Sequence, residues 1–313
     1  MSEMRETRRE NFSPAYMKLS KAEFKLRSRE AFGLLSPCRL CPRKCGKDRL
    51  KGERGVCQAG PVPEVSSFNL HFGEEPVLSG WKGSGAIFFA HCALRCVFCQ
   101  NYPISHFGHG NQADAQGIAE MMLKLQDGGA HNINLVTPSH MVPWIIDAVA
   151  IAREKGLRLP LVYNSSGYDS LEELKLLDGI IDIYLPDMKY NDNSAAKMLS
   201  NAADYVETNR AAVREMHRQV RDLVTDETGI ALRGLIIRHL VLPANLAGSQ
   251  GIMKFIAQEI SKNTAISLMS QYFPAHRARE FPELCRRISE SEYALAEKAM
   301  AEQGLEEGWK QGM

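Results

Sequence analysis

Ala86-Ile87-Phe88-Phe89-Ala90-His91-Cys92-Ala93-Leu94-Arg95-Cys96-Val97-Phe98-Cys99-Gln100-Asn101 joins a short apolar run to a loop with three cysteines, spaced x3 then x2. The run Ala86–Ala90 reads as a buried strand, because a fully covered strand needs no polar alternation. Three thiolates can occupy three irons of a four-iron cube and leave the fourth iron open to an external ligand. A structural zinc site would need a fourth protein ligand. His91, His106 or His109 can supply one, so counting alone leaves zinc open. The spacing argues against it, since such sites pair their cysteines as two separated Cys-x2-Cys knuckles.

Downstream of this loop the chain alternates between helical and strand patterns. Helices are expected over Ala113–Gln126 (ended by Gly128-Gly129), Pro143–Glu154, Ser170–Leu177, Ser194–Leu199, Ala202–Val224, Gln250–Ser261 and residues 282–303. Strands are expected over Ile133–Val136, Leu161–Tyr163, Ile180–Leu185, Leu235–Leu242 and Ala265–Met269. Ser170 is placed to cap its helix, with Glu172 and Glu173 in the first turn. Serial βα units imply a parallel sheet with right-handed crossovers. About six units are too few for a closed eight-stranded barrel. The expected fold is therefore α/β, a partial, open βα barrel of about six parallel strands, with reactive groups at the C-terminal strand ends.

Upstream lies a second cysteine group, Cys38, Cys41, Cys45 and Cys57, spaced x2, x3 and x11 among Pro, Gly and Lys. Four thiolates close a zinc tetrahedron or hold a second four-iron cluster with no open iron. So short a segment builds no core of its own, and a metal would organise it. The expected organisation is a helical arm (1–35), a four-cysteine metal-binding module (36–62), the barrel (63–303, with 63–82 as connector) and a frayed tail (304–313). Cys285, the eighth cysteine, reads as a buried or incidental thiol.

Composition bounds the rest. The chain has 313 residues, 44% hydrophobic and 24% charged, which suits a soluble enzyme with a substantial core. No apolar run approaches the ~20 residues of a membrane span. Met1–Glu10 is charged and unlike a signal peptide, so a cytoplasmic location is the default. There, clustered cysteines indicate metal or redox chemistry before disulfides. Residues 1–54 carry 15 Lys/Arg against 7 Asp/Glu, a net of +8. The arm lacks interleaved aromatics and any nucleic-acid module, so it reads as solvated and nucleic acid is not an expected partner.

Cys92-x3-Cys96-x2-Cys99, on the loop after the first strand of serial βα units and with the aromatic Phe98 before the last cysteine, resembles the signature of radical S-adenosylmethionine (SAM) enzymes. Cys38-x2-Cys41-Pro42-Arg43-x-Cys45-Gly46, Gly52, Gly55-x-Cys57 and Cys99-Gln100-Asn101 resemble, within that superfamily, a group homologous to the activating enzymes of pyruvate formate-lyase. The resemblance covers residues 38–280. It implies a [4Fe-4S] cluster on Cys92, Cys96 and Cys99, completed by SAM and reduced by a low-potential donor such as flavodoxin or ferredoxin. The reaction it implies is reductive cleavage of SAM to a 5′-deoxyadenosyl radical that abstracts hydrogen. The implied substrate is a protein glycine, as in glycyl-radical activation.

Candidate SAM contacts follow at the strand ends. The family's Gly-Gly-Glu amine-binding motif is replaced by Thr137-Pro138-Ser139-His140, which leaves Thr137, Ser139 and backbone carbonyls. Asn164 and Ser165 suit ribose hydroxyls. Asp187 and Lys189 match a strand-end Asp-x-Lys that holds the methionine carboxylate. Phe98 and Tyr102 are placed to flank adenine. For each the plainer reading is an ordinary turn, a surface ion pair or simple packing. Of Arg238-His239 one faces the pocket, and sequence leaves undecided which. His276 is either a substrate contact or a surface histidine. The competing functions are a non-catalytic iron–sulfur or zinc redox/binding module and a zinc-binding nucleic-acid adaptor.

Overall fold

The computed structural model describes residues 6–7 and 9–312. Its strands are β1 (Glu6–Thr7), β2 (Glu64–His71), β3 (Ser84–Phe89), β4 (Asn111–Gln112), β5 (Ile133–Val136), β6 (Leu161–Ser165), β7 (Ile183–Pro186), β8 (Val224–Asp226), β9 (Ala231–Leu240), β10 (Ala265–Met269) and β11 (Gly308–Lys310). Its α-helices are α1 (Lys21–Gly33), α2 (Pro76–Ser79), α3 (Tyr102–Ser105), α4 (Ala115–Asp127), α5 (Val142–Glu154), α6 (Leu171–Leu176), α7 (Asn193–Ser200), α8 (Tyr205–Val220), α9 (Ser249–Phe255) and α10 (Glu290–Glu302).

Six strands, β3, β5, β6, β7, β9 and β10, lie side by side and parallel. β2 pairs antiparallel with β3 at one edge and carries β4 beyond it. β11 pairs parallel with β10 at the other. The two edges do not pair with each other, so the sheet stays open. Its curl shows in the side chains: Phe88, Val136, Asn164, Asp187, Arg238 and Met269, at or near the ends of all six strands, line one cavity.

The alternation of strand residues sorts the core into two parts. Outward-facing Ile87, Ile133, Leu135, Tyr163, Tyr184, Leu235 and Ile237 join the helices in the larger cluster. Inward-facing Val162, Ile183, Leu185, Ile236 and Ala265 form a smaller one with Val77 and Leu78 of α2, which plugs the concave side. The four-cysteine segment has no separate core. Cys38, Leu40, Cys41, Cys57 and Ala59 pack into the larger cluster.

Local chemistry sets the element ends. Ser20 and Glu23 form a capping box that opens α1, Ser289 and Glu292 one that opens α10, and the Ser170 hydroxyl accepts from the Glu173 amide at α6. The first helix is thus confined to Lys21–Gly33 rather than filling the expected arm, of which residues 1–5 and 8 lie outside the described residues. The expected connector 63–82 contains β2, whose sequence gives no clean alternation. The expected helix to Val224 stops at Val220, because Arg221 turns to φ 64° and Val224–Asp226 forms a hairpin with β9, closed by Asp226 Oδ1 accepting from the Thr228 and Ile230 amides. The tail does not fray after Gly304. Gly308, at φ 121°, passes so close to Ile266 that a Cβ would stand 2.0 Å from its carbonyl oxygen, and β11 completes the β10 edge. Among the described residues no helix is long and apolar enough to cross a membrane.

Candidate functional site

β3 ends at Phe89, and the loop that follows turns back on itself through His91 at φ 72° and Arg95 at φ 55°. These two left-handed residues, with the Cys99 amide donating to the Cys96 carbonyl, set the three cysteines on one side. Cys92, Cys96 and Cys99 are free thiols lining one cavity of about 440 Å³. Phe98, Thr137, Asn164, Ser165, Asp187 and Lys189 line the same cavity, brought there from the loop itself, from β6 and from the segments just after β5 and β7. Ser139 is not among the lining residues. Its hydroxyl donates to Asp169 Oδ1 at 2.5 Å behind the wall, because Thr137 at φ 59° reverses the chain before it. A β-branched residue at positive φ costs roughly 1–3 kcal/mol, and such strain collects at functional sites.

The floor of the cavity is an ion network. Asp187 accepts from Lys189 Nζ at 2.6 Å and from Arg238 Nε at 2.9 Å. Arg238 also donates to Asn164 Oδ1 at 2.6 Å and stands 3.6 Å from Glu74 Oε2. Burial pushes the Asp187 carboxyl up, yet Arg238 and Lys189 outweigh it and hold the group below the usual carboxylate range. Burial disfavours the Lys189 ammonium, but Asp187 more than restores it. Glu74 is the exception: burial, and Glu75 beside it, raise its pKa to about 7 against the pull of Arg238. Of the Arg238-His239 pair it is Arg238 that faces the cavity. His239 points outward, bonded to the Met188 carbonyl and the Ser249 hydroxyl.

The cavity suits the groups that the sequence resemblance implies. Burial raises all three thiol pKa values, and Lys189 opposes the rise at each, so a cation faces the place where thiolate charge would sit. Bound metal would favour the thiolates further. No three His, Cys, Asp or Glu side chains among the described residues converge as ligands of a single metal ion. Thiolates of a four-iron cube go to separate irons and have no need to converge. Two buried donors, Arg95 Nη1 and Asn164 Nδ2, have no partner within the protein, and both residues line the cavity. Such donors call for the oxygen atoms of a ligand. The Ser105 hydroxyl lies 3.1 Å from Cys99 Sγ and 2.9 Å from His106 Nδ1.

Of the histidines, His71 lines the cavity. His91 Nε2 meets Glu64 at 3.1 Å, and neither His91, His106 nor His109 is among the cavity's lining residues. Tyr102 also lies outside the lining and stacks on His276, at 5.1 Å between ring centres. His276 in turn leans on His106, not on the cavity. Phe98 packs edge-on against Tyr190 and Tyr272. Cys285 is exposed rather than buried. Cys38, Cys41, Cys45 and Cys57 are free thiols outside this cavity; burial, and next the Cys57 thiol, raise the Cys41 pKa.

Sequence reasoning missed Glu74 and left Arg238 undecided. Glu74 follows an antiparallel edge strand, where no local pattern marks it. It also missed Asp169 and Glu173, two carboxyls buried behind the wall. Tyr163 donates to both, and Ser139 and Ser165 donate to Asp169. Burial raises both pKa values, and Glu173 Oε2 has no partner.

No protein-family model matches the chain. The crystal structure of methylornithine synthase (PylB) aligns with a TM-score of 0.44 at 15% identity, over 68% of this chain and 60% of that one. The uncharacterized protein MJ0674 of Methanocaldococcus jannaschii is 30% identical over 278 residues, 86% of this chain and 75% of that protein. The chain therefore belongs to the same family as MJ0674.

Proposed function

We propose that the chain is a radical SAM enzyme, with a [4Fe-4S] cluster held by Cys92, Cys96 and Cys99. The observation that supports this best is the meeting, in one cavity at the strand ends, of three free thiols with a lysine–carboxylate–arginine network. When bound, the cluster and SAM supply reductive cleavage of the sulfonium and a 5′-deoxyadenosyl radical for hydrogen abstraction. Within this reading Lys189, kept charged by Asp187, receives the ligand carboxylate. Asn164 and Arg95 donate to its remaining oxygens. Glu74 supplies a carboxylate to its ammonium from a different direction than the absent Gly-Gly-Glu motif. The electron donor is a low-potential protein such as flavodoxin or ferredoxin, and the module of Cys38, Cys41, Cys45 and Cys57 carries zinc or a second cluster.

The substrate in this proposal is a backbone glycine of a partner enzyme, by analogy with the activating enzymes the sequence resembles. Anaerobically reconstituted, reduced protein should convert SAM to 5′-deoxyadenosine, and Cys96→Ala should not. A reconstituted cluster that leaves SAM intact would instead identify a redox or binding protein. Glycyl-radical activation is tested separately, by the appearance of a protein-centred radical signal when a glycyl-radical enzyme is added.

A further inference from the structure

Two arginines of the four-cysteine segment support the three-cysteine loop, Arg43 directly and Arg49 through His140. Arg43 lies between Cys41 and Cys45. Its Nε donates to the Ala93 carbonyl at 2.9 Å and its Nη2 to the Leu94 carbonyl at 3.1 Å, both between Cys92 and Cys96. The same guanidinium bonds the Ser200 carbonyl at 2.7 Å and the Asn201 carbonyl, at the C-terminus of α7, and lies over the Tyr168 ring. That helix end itself holds the loop: the Val97 amide donates to the Leu199 carbonyl at 2.8 Å, and the Ser200 side chain bonds Cys96. Arg49, 1% exposed, donates to the His140 carbonyl at 2.8 Å. His140 Nε2 in turn meets the Ala90 carbonyl at 2.8 Å, where the loop begins. Burial lowers the His140 pKa to about 3, so the ring is neutral, and its Nε2 carries the proton toward Ala90.

We propose that the four-cysteine module braces the three-cysteine loop, with Arg43 as the principal positioning residue and Arg49, acting through His140, as the second. A planar fork serving four carbonyls from two segments fixes both in one geometry, which a lysine cannot reproduce. Cys41 and Cys45 flank Arg43, so the fold of their segment decides where the fork points. The brace belongs to the protein itself. Only its consequence for iron binding rests on the reading of Cys92, Cys96 and Cys99 as the cluster site.

The test uses full-length protein with all eight cysteines. In Arg43→Ala, iron at the three-cysteine site, measured as the iron that Cys96→Ala removes, should bind roughly 10–100-fold more weakly. Free guanidinium should restore it, which no general loss of stability would allow. In protein whose three-cysteine site holds no iron, alkylation of Cys92 and Cys96 should quicken about tenfold, the signature of a locally loosened loop. Should Arg43→Ala not fold, Arg43→Lys carries the same two measurements. Folded variants with wild-type iron affinity and alkylation rates would overturn the proposal. Alkylation does not depend on a cluster, so failure of the brace and failure of the radical SAM reading are told apart.

Discussion

Asp187 is the residue on which the cavity floor depends. It is 13% exposed and pairs with two cations, so removing its charge strands Lys189 and Arg238 in a poorly solvated place. Asp187→Asn should destabilise the protein by about 3–5 kcal/mol in denaturant titration. A loss under about 1 kcal/mol would mean that water already solvates the pair. Glu74 makes the opposite prediction. Its folded pKa, about 7, lies above the ordinary 4.5, so between those values the folded state keeps a proton that the unfolded chain gives up. Stability from this group is present below about 4.5 and is lost as pH rises through about 7. Glu74→Gln should remove that loss, so the variant's Tm gains on the wild type across this window. Parallel Tm–pH curves would show that Glu74 titrates normally. Asp187 and Lys189 were legible in sequence only through the resemblance, whose Asp-x-Lys spacing they match just past the end of β7. Glu74 was not, because its approach to Arg238 comes from the curl of the sheet.

Among the elements, the interior strands were the most legible. Ile133–Val136 and Ala265–Met269 lie where their apolar, β-branched runs place them. Both are covered on two sides, so composition alone marks them. Edge strands carry weaker signals. β2 mixes Ser, Asn and His with its apolar residues, and β11 is three residues within a charged tail. What makes β11 a strand is the free edge of β10, together with Trp309 packing on the inner cluster. Truncation after Gly304 should lower the Tm by several degrees and speed exchange of the Ile266 amide, which donates to the Glu307 carbonyl. Unchanged exchange at Ile266 would show that the pairing contributes nothing in solution. The loop after β3 was legible for its cysteines but not for its supports, since Arg43 reaches it, and Arg49 acts on it through His140, from a segment that carries its own metal-ligand pattern.

At the scale of the whole molecule, six parallel strands and an open edge follow from the number of βα units, while the placement of the cysteine-rich segment against the sheet does not. Metal analysis separates its possible cargoes. Two four-iron clusters give about eight irons per chain, and a cluster with a zinc site gives about four irons and one zinc. Cys41→Ala should remove the second metal, and Cys96→Ala should deplete the first. If either variant keeps both metals in full, the division of the cysteines into two sites is wrong. The open corner of the first cluster is read by electron paramagnetic resonance of the reduced protein with and without SAM. SAM should change the spectrum in the wild type, and Lys189→Ala should need more SAM for the same change. A spectrum indifferent to saturating SAM, in protein whose iron is lost on replacing Cys92, Cys96 or Cys99, would mean that the fourth iron is already taken.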